Sequence, residues 1–200
     1  MVVYLNGTAG SGKSTIARAL QAAWHEPLLH VGLDFLSAAM PRRFLGHGAD
    51  AHLGARWVLD NAGRLVGIEA GPFGERLLRG IPRMAAALAR AGNHVIVDDV
   101  LLYPWRLRDV ADAFDGLEAH LVEVRCRPET AAQRLRERDP ERASGHTEAY
   151  YEVTYAVPHV DLRLDTDAAT GAECAESLRS YLASGRAPVA FPAIRAGDTG

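Results

Sequence analysis

Val2-Val3-Tyr4-Leu5-Asn6 runs directly into Gly7-Thr8-Ala9-Gly10-Ser11-Gly12-Lys13-Ser14, and Thr15 leads on to Ile16, Leu20, Ala23 and Trp24. Residues 7–14 match the pattern G-x-x-x-x-G-K-[ST], and each position has a physical reason. Glycines let successive backbone N–H groups turn inward around an anion, where a Cβ would clash. The helix that follows aims its unsatisfied N–H groups and positive dipole end at the same anion. Lys13 is expected to reach the β- and γ-phosphates of a bound nucleotide, with the Ser14 hydroxyl as a Mg²⁺ ligand. Gly7, Thr8, Ala9, Gly10, Ser11, Gly12 and Thr15 would complete the cradle. The flanks agree with this reading. Residues 2–5 form a β-favouring apolar run of the kind a buried parallel strand needs. Ile16, Leu20, Ala23 and Trp24 recur at helical spacing, and Pro27 closes the segment.

Lys13 is also the only lysine: of 22 basic residues, 21 are arginine. Abundant alanine and arginine fit a GC-rich coding sequence that uses arginine wherever either cation serves. A triphosphate favours a compact point charge over arginine's wider planar fork, which accounts for the lysine that remains. A net charge of −3 over 200 residues and a pI near 6.2 leave no basic footprint for nucleic acid. A hydrophobic content of 48% is that of a globular chain. Cys126 and Cys174 have no metal spacing and make no disulfide framework. No apolar run approaches the ~18 residues of a membrane span, and residues 2–5 leave no room for a secretory leader. A soluble, cytoplasmic protein is expected.

Further strand-like runs follow at residues 28–31, 94–97, 120–124 and 160–164, the last alternating as an edge strand would. Helical stretches are expected over 73–91, about 128–138, 147–156 and 172–183. This alternation predicts an α/β fold with a parallel five-stranded sheet and helices on both faces, and the loop at residues 7–14 makes it one of the P-loop NTPase type. Residues 1–184 would form a single domain, with a lid at about 134–146. Residues 42–72 interrupt the alternation. Within them Arg56-Trp57-Val58-Leu59, Asp60-Asn61-Ala62-Gly63 and Arg64-Leu65-Val66 read as a hairpin with a four-residue turn. That insertion either covers a substrate or merely packs on the domain. Residues 185–200, with Pro188 and Pro192 among small residues, read as a loosely packed extension.

In parallel sheets ligands bind at the carboxyl ends of the strands. Asp34 follows the second strand and either orients and deprotonates an acceptor hydroxyl or caps the short helix over residues 35–40. Asp98 and Asp99 end the third. One would order Mg²⁺, assigned to Asp98, and the other would face the acceptor, assigned to Asp99. Arginines cluster from 125 to 142. Arg134 and Arg138 lie four apart on one helix face, with Arg142 beyond, whereas Arg127 and Arg136 read as solvated. A lid bringing guanidinium groups over the γ-phosphate would stabilise the charge of transfer.

With these residues in place, the chain resembles the chloramphenicol phosphotransferase family of phosphate-loop kinases. The resemblance is carried by Leu5-Asn6-Gly7 into the loop, Glu26-Pro27, Gly32-Leu33-Asp34, Ala39-Met40-Pro41, Gly71-Pro72, and Met84-Ala85 with Ala89-Arg90-Ala91-Gly92. The strand end at residues 95–100, Val124-Arg125-Cys126 and Asp165-Thr166 complete it. It implies an adenylate-kinase-like core and ATP-dependent phosphorylation of a hydroxyl on a small molecule, in that family an antibiotic. It also implies that Asp34 is the base, that Arg138 and Arg142 are lid arginines, and that Asp165 and Thr166 sit near the adenine. Two segments depart from the pattern: residues 42–70, with Arg42, Arg43, His47, His52 and Trp57, and the bulkier 101–108, with Tyr103, Pro104 and Trp105. Both would help form the acceptor pocket. Shikimate- or gluconate-type kinases and zeta-toxin-like nucleotide-sugar kinases share the core, and a non-catalytic nucleotide switch is the alternative outside enzymes. No N-K-x-D guanine motif is present in a chain whose only lysine is Lys13.

Overall fold

The computed structural model describes residues 1–138, 145 and 147–197. In chain order the elements begin with β1 (Val2–Asn6), α1 (Lys13–Ala23), β2 (Leu28–Gly32) and α2 (Leu33–Ala39). A small sheet follows, built from β3 (Leu45–Gly46), β4 (Ala55–Leu59) and β5 (Leu65–Ala70). Then come α3 (Pro72–Arg90), β6 (His94–Asp99), α4 (Pro104–Ala113), β7 (Ala119–Arg125) and α5 (Pro128–Arg138). A 3-10 turn at Glu148–Tyr150 leads into α6 (Tyr151–Tyr155), and β8 (Leu162–Asp165), α7 (Gly171–Ala183) and α8 (Ala190–Ala196) close the chain.

The main sheet has the order β2-β6-β1-β7-β8, and all its pairings are parallel. β1 lies at its centre because all five of its residues are buried and none needs water on either face. Alternation along that strand divides the core in two. Val2 and Tyr4 face a cluster with Ile81 of α3, Val110 of α4 and Phe191 of α8. Val3 and Leu5 face Ile16 and Leu20 of α1 and Leu178 of α7. The expected five-stranded parallel sheet with helices on both faces is therefore present. β8 is its edge, and α7 is stopped at its start by a capping box between Thr170 and Glu173.

The hairpin is β4 and β5, joined where Asp60 Oδ1 accepts from the N–H groups of Ala62 and Arg64, both at 2.9 Å. Those hydrogen bonds hold the Asp60 carboxyl below the usual range. Two segments differ from expectation. Residues 101–108 contain the start of α4, for Pro104 supplies a fixed φ at the first helical position, where a missing N–H costs nothing. The tail is not loose: Phe191 is 1% exposed, with its ring 6.0 Å from Tyr4 and 5.4 Å from Phe114. Asp161 Oδ1 accepts from Val189 N and Ala190 N at the start of α8. Among the described residues, no helix is long and apolar enough to cross a membrane.

Candidate active site

The carboxyl edge of the sheet gathers four adjoining cavities around residues 7–15. The loop after β1 is shaped by close backbone approach. A Cβ on Gly7 would lie 2.3 Å from Val124 O, and one on Gly10 would lie 2.2 Å from Ala131 O at a φ of +83°. Glycine is the residue that fits both places. α1 starts without a side-chain cap, so its leading N–H groups stay available to an anion. Lys13 is 7% exposed, and its Nζ donates to Gly7 O at 2.7 Å and Thr8 O at 3.0 Å, with Asp98 3.8 Å away. Burial pushes its pKa down, and the neighbouring Asp98 charge opposes that shift. Ser14 Oγ donates to Asp98 Oδ2, and His30 Nε2 lies 3.7 Å from the same oxygen. Burial alone would raise the Asp98 pKa, but the Lys13 charge and the hydrogen bonds from His30 and Ser14 outweigh it and bring it to about 2. A hydroxyl and a carboxylate held side by side are hard oxygen donors, and they fit Mg²⁺.

A cavity of about 80 Å³ in this cradle is lined by Ala9, Gly10, Gly12, Lys13, Ser14, Thr15, Leu33, Asp34, Asp98, Val100 and Arg138. On one side a larger space of about 470 Å³ is lined by Gly12, Thr15, Arg134, Thr166 and residues 167–171. Arg134 donates to Thr166 Oγ1 and to Thr166 O, each at 2.8 Å, and Thr166 Oγ1 donates to Ser11 O at 2.8 Å. Arg134 is thus tied to the base of the phosphate loop rather than laid over its centre. Thr8 and Ser11 are buried within the loop, and Thr8 N donates to the Tyr155 hydroxyl at 3.3 Å.

On the other side a cavity of about 230 Å³ lies between α2, the hairpin sheet, α3 and the loop after β6. Leu33, Leu45, Trp57, Ile68, Leu77, Leu78, Leu102 and Tyr103 make most of its wall, and among the described residues no lysine, arginine or histidine lines it. Asp34 lines both this cavity and the phosphate cradle. A fourth space of about 220 Å³ opens toward β2, where Arg18 and His30 join Ser14, Asp34 and Asp98. Asp34 belongs to the first turn of α2, whose cap position is Gly32. The helix-cap alternative therefore has no support here.

The expected residues are not all brought together. Lys13, Ser14, Asp34, Asp98 and Arg138 converge on one cavity. Asp99 does not face an acceptor: it is 0% exposed. Its carboxylate accepts from Arg106 Nη1 at 3.0 Å, Arg106 Nη2 at 2.7 Å and the Tyr4 hydroxyl at 2.8 Å. The alternation of β6 sends neighbouring side chains to opposite faces, so Asp98 meets the phosphate loop while Asp99 meets the core. Asp165 lines none of the four spaces, and its carboxylate accepts from Asp167 N at 2.8 Å instead. Arg142, with most of the expected lid, lies outside the described residues. Of the residues in the two departing segments, Trp57 and Tyr103 line the apolar cavity, while Arg42, Arg43, His47, His52 and Trp105 do not. The inward position of Trp57 was legible as the alternate face of a predicted strand. Leu77 lay on the apolar stripe of the helix expected over 73–91, whereas Leu33, Leu45 and Leu102 had no such signal.

A central parallel sheet, a G-x-x-x-x-G-K-S loop at the end of its middle strand and carboxylates after the two strands on one side define a P-loop kinase. Solved structures of this fold include the Mycobacterium tuberculosis APS kinase CysC in complex with AMPPNP and APS. The TM-score is 0.61 and the identity 22%, over 91% of this chain and 96% of that one. Shikimate kinase from Acinetobacter baumannii, solved with shikimate, is similar at a TM-score of 0.56 and 10% identity, over 92% of this chain and 94% of that one. The chain belongs to the chloramphenicol phosphotransferase-like family, whose model matches residues 1–183. It is a phosphotransferase that acts on a hydroxyl group. A Mycobacterium tuberculosis protein named "Putative O-phosphotransferase", found in two strains, is 28% identical over 199 residues, which cover 97% of this chain and 87% of that one.

Proposed function

We propose that the protein transfers the γ-phosphoryl group of ATP to a hydroxyl of an uncharged, largely apolar small molecule, an antibiotic alcohol of the chloramphenicol type, in the cytoplasm. The observation that carries this reading is that Asp34 lines both the phosphate cradle and the apolar cavity. An alcohol seated against Trp57 and Tyr103 would present its oxygen to that carboxylate. The acceptor oxygen forms a bond to the γ-phosphorus, the bond to the β,γ-bridging oxygen breaks, and the acceptor proton passes to Asp34. The loop amides and Lys13 would hold the triphosphate, and Arg138 would neutralise charge developing on the transferred group. Ser14 and Asp98 would hold Mg²⁺, which supplies charge neutralisation between the β- and γ-phosphates. Arg134 and Thr166 would border the nucleoside. Among the described residues no cation lines the apolar cavity, which supports a neutral acceptor, since a buried anion needs a partner.

A second reading takes an anionic acceptor in the space near β2, where Arg18 offers positive charge beside the His30 ring. A panel of acceptors with Mg·ATP, followed by ADP release and by mass gain of the acceptor, separates the two. It includes chloramphenicol and other neutral antibiotic alcohols alongside shikimate, gluconate and adenosine phosphosulfate. Turnover of a neutral alcohol that falls about 10²–10⁴-fold in Asp34→Asn supports the first reading. Turnover of the anionic acceptors alone overturns it in favour of the second.

A further inference from the structure

The short segment from Thr147 to Tyr155 touches both halves of the site. Toward the phosphate loop, Thr147 Oγ1 donates to Ala9 O at 3.4 Å, Asn6 Nδ2 donates to Thr154 O at 2.7 Å, and Thr8 N donates to the Tyr155 hydroxyl at 3.3 Å. The Tyr155 hydroxyl in turn donates to Val124 O at 2.9 Å, which pins the segment to the sheet. Thr147 and Thr154 are 0% exposed and Tyr155 is 8% exposed, so these contacts are sheltered from water. Toward the apolar cavity, Ile68 N donates to the hydroxyl of Tyr150, which is also buried. The carbonyl of the same residue accepts from Tyr103 at 2.6 Å. β5 is the edge of its small sheet. The outward N–H and C=O of Ile68 would otherwise have no partner, and two tyrosines supply both. Ile68 and the cross-strand Trp57 are walls of the cavity.

We infer that residues 147–155 are a strut that couples the phosphate loop to the acceptor cavity, with Tyr150 as the positioning residue that passes the response to the Ile68 wall. The inference rests on reading residues 7–15 as a nucleotide site. A nucleotide that orders Thr8 and Ala9 also orders the segment bonded to them, and that segment holds the cavity wall. By linkage, an acceptor then tightens nucleotide binding by the same factor. A second path runs from Asn6 Oδ1, which accepts from Leu101 N at 3.0 Å, to the Tyr103 loop. The test must therefore separate the two paths.

The full chain is labelled with 5-fluorotryptophan, which gives one ¹⁹F resonance for each of Trp24, Trp57 and Trp105, assigned by single replacements with phenylalanine. The probe ligand is Mg·AMPPNP, a nonhydrolysable ATP analogue. Saturation is expected to shift the Trp57 resonance in the parent protein. Tyr150→Phe removes one hydroxyl; it should bind AMPPNP within about threefold of the parent while the Trp57 shift is lost. Tyr155→Phe, which cuts the strut at its other end, should lose the Trp57 shift as well. Tyr103→Phe should keep it. A Trp57 resonance that does not move in the parent, or that moves equally in Tyr150→Phe, overturns the inference. Loss in Tyr103→Phe alone assigns the coupling to the Asn6–Leu101 path and also overturns it. Failure of the parent to bind AMPPNP would refute the nucleotide reading itself, an outcome distinct from binding without a Trp57 response.

Discussion

Asp99→Ala removes the charge partner of Arg106, the largest fully buried side chain among the described residues. Both groups are at most 1% exposed, so the guanidinium left behind cannot turn to water. Removing one member of such a pair costs about 3–5 kcal/mol. Two corrections act in opposite directions. Arg106 keeps carbonyl acceptors at Val100 O, 2.6 Å, and Leu78 O, 3.4 Å, which reduces the loss. Tyr4 loses the carboxylate that accepts from it at 2.8 Å, and a buried hydroxyl left without that acceptor adds about 1–3 kcal/mol. The net expectation is about 4 kcal/mol. In a domain of this size that lowers Tm by roughly 8–16 °C. The assay is thermal unfolding followed by circular dichroism, with urea unfolding to confirm that the m-value holds. Asp99→Val combined with Arg106→Met removes both charges and should recover more than half of the loss, because no charge is then left unpaired. Asp99→Ala melting within about 2 °C of the parent would refute the assignment of Asp99 to the core. A large drop in phosphotransfer at unchanged Tm would refute it too, and would return Asp99 to the acceptor site.

Lys13→Arg keeps the charge but should lower phosphotransfer by at least about 10²-fold, because Gly7 O, Thr8 O and Asp98 enclose a compact ammonium and not a planar fork; steady-state kinetics at saturating ATP checks this. The Asp98 carboxyl falls from 3.8 to about 2 on folding. A depressed carboxylate pKa contributes stability that is present above the unfolded value and is lost as pH falls through the folded one. Urea unfolding should therefore show about 2 kcal/mol disappearing between pH 4 and 2, and Lys13→Met should flatten that part of the profile. Phe191→Ala should cost about 3–5 kcal/mol by opening a cavity between Tyr4 and Phe114, measured by urea unfolding; an effect under ~0.5 kcal/mol, as at ordinary surface sites, would return the tail to a loose extension.

The phosphate loop, the five core strands, the hairpin and the start of the last long helix were legible in the chain because each rests on neighbours in sequence. A glycine-rich turn, a run of four apolar residues or a turn of Asp-Asn-Ala-Gly selects its backbone locally. Lys13, Ser14 and Asp98 follow from such units, since a parallel sheet carries the residues after its strands to one edge. Arg106 could not be told from the other arginines on that basis. Its burial depends on Pro104 starting a helix and on Asp99 pointing into the core, two facts separated by a loop. The tail was misjudged for a related reason: Phe191 among small residues and prolines looks solvated until Tyr4 and Phe114 are placed beside it.

By itself, then, the sequence determined that a glycine-rich P-loop opens the first helix and that a carboxylate follows the second strand. Only the tertiary structure decided what that carboxylate faces. The apolar cavity is assembled from residues spread between Leu33 and Tyr103, on two helices, three short strands and a loop. No spacing along the chain encodes such a wall, because its members meet only after the hairpin has docked. Asp98 and Asp99 are chemically identical neighbours, and the strand's two-residue period set their surroundings apart by turning one to the phosphate loop and the other to Arg106.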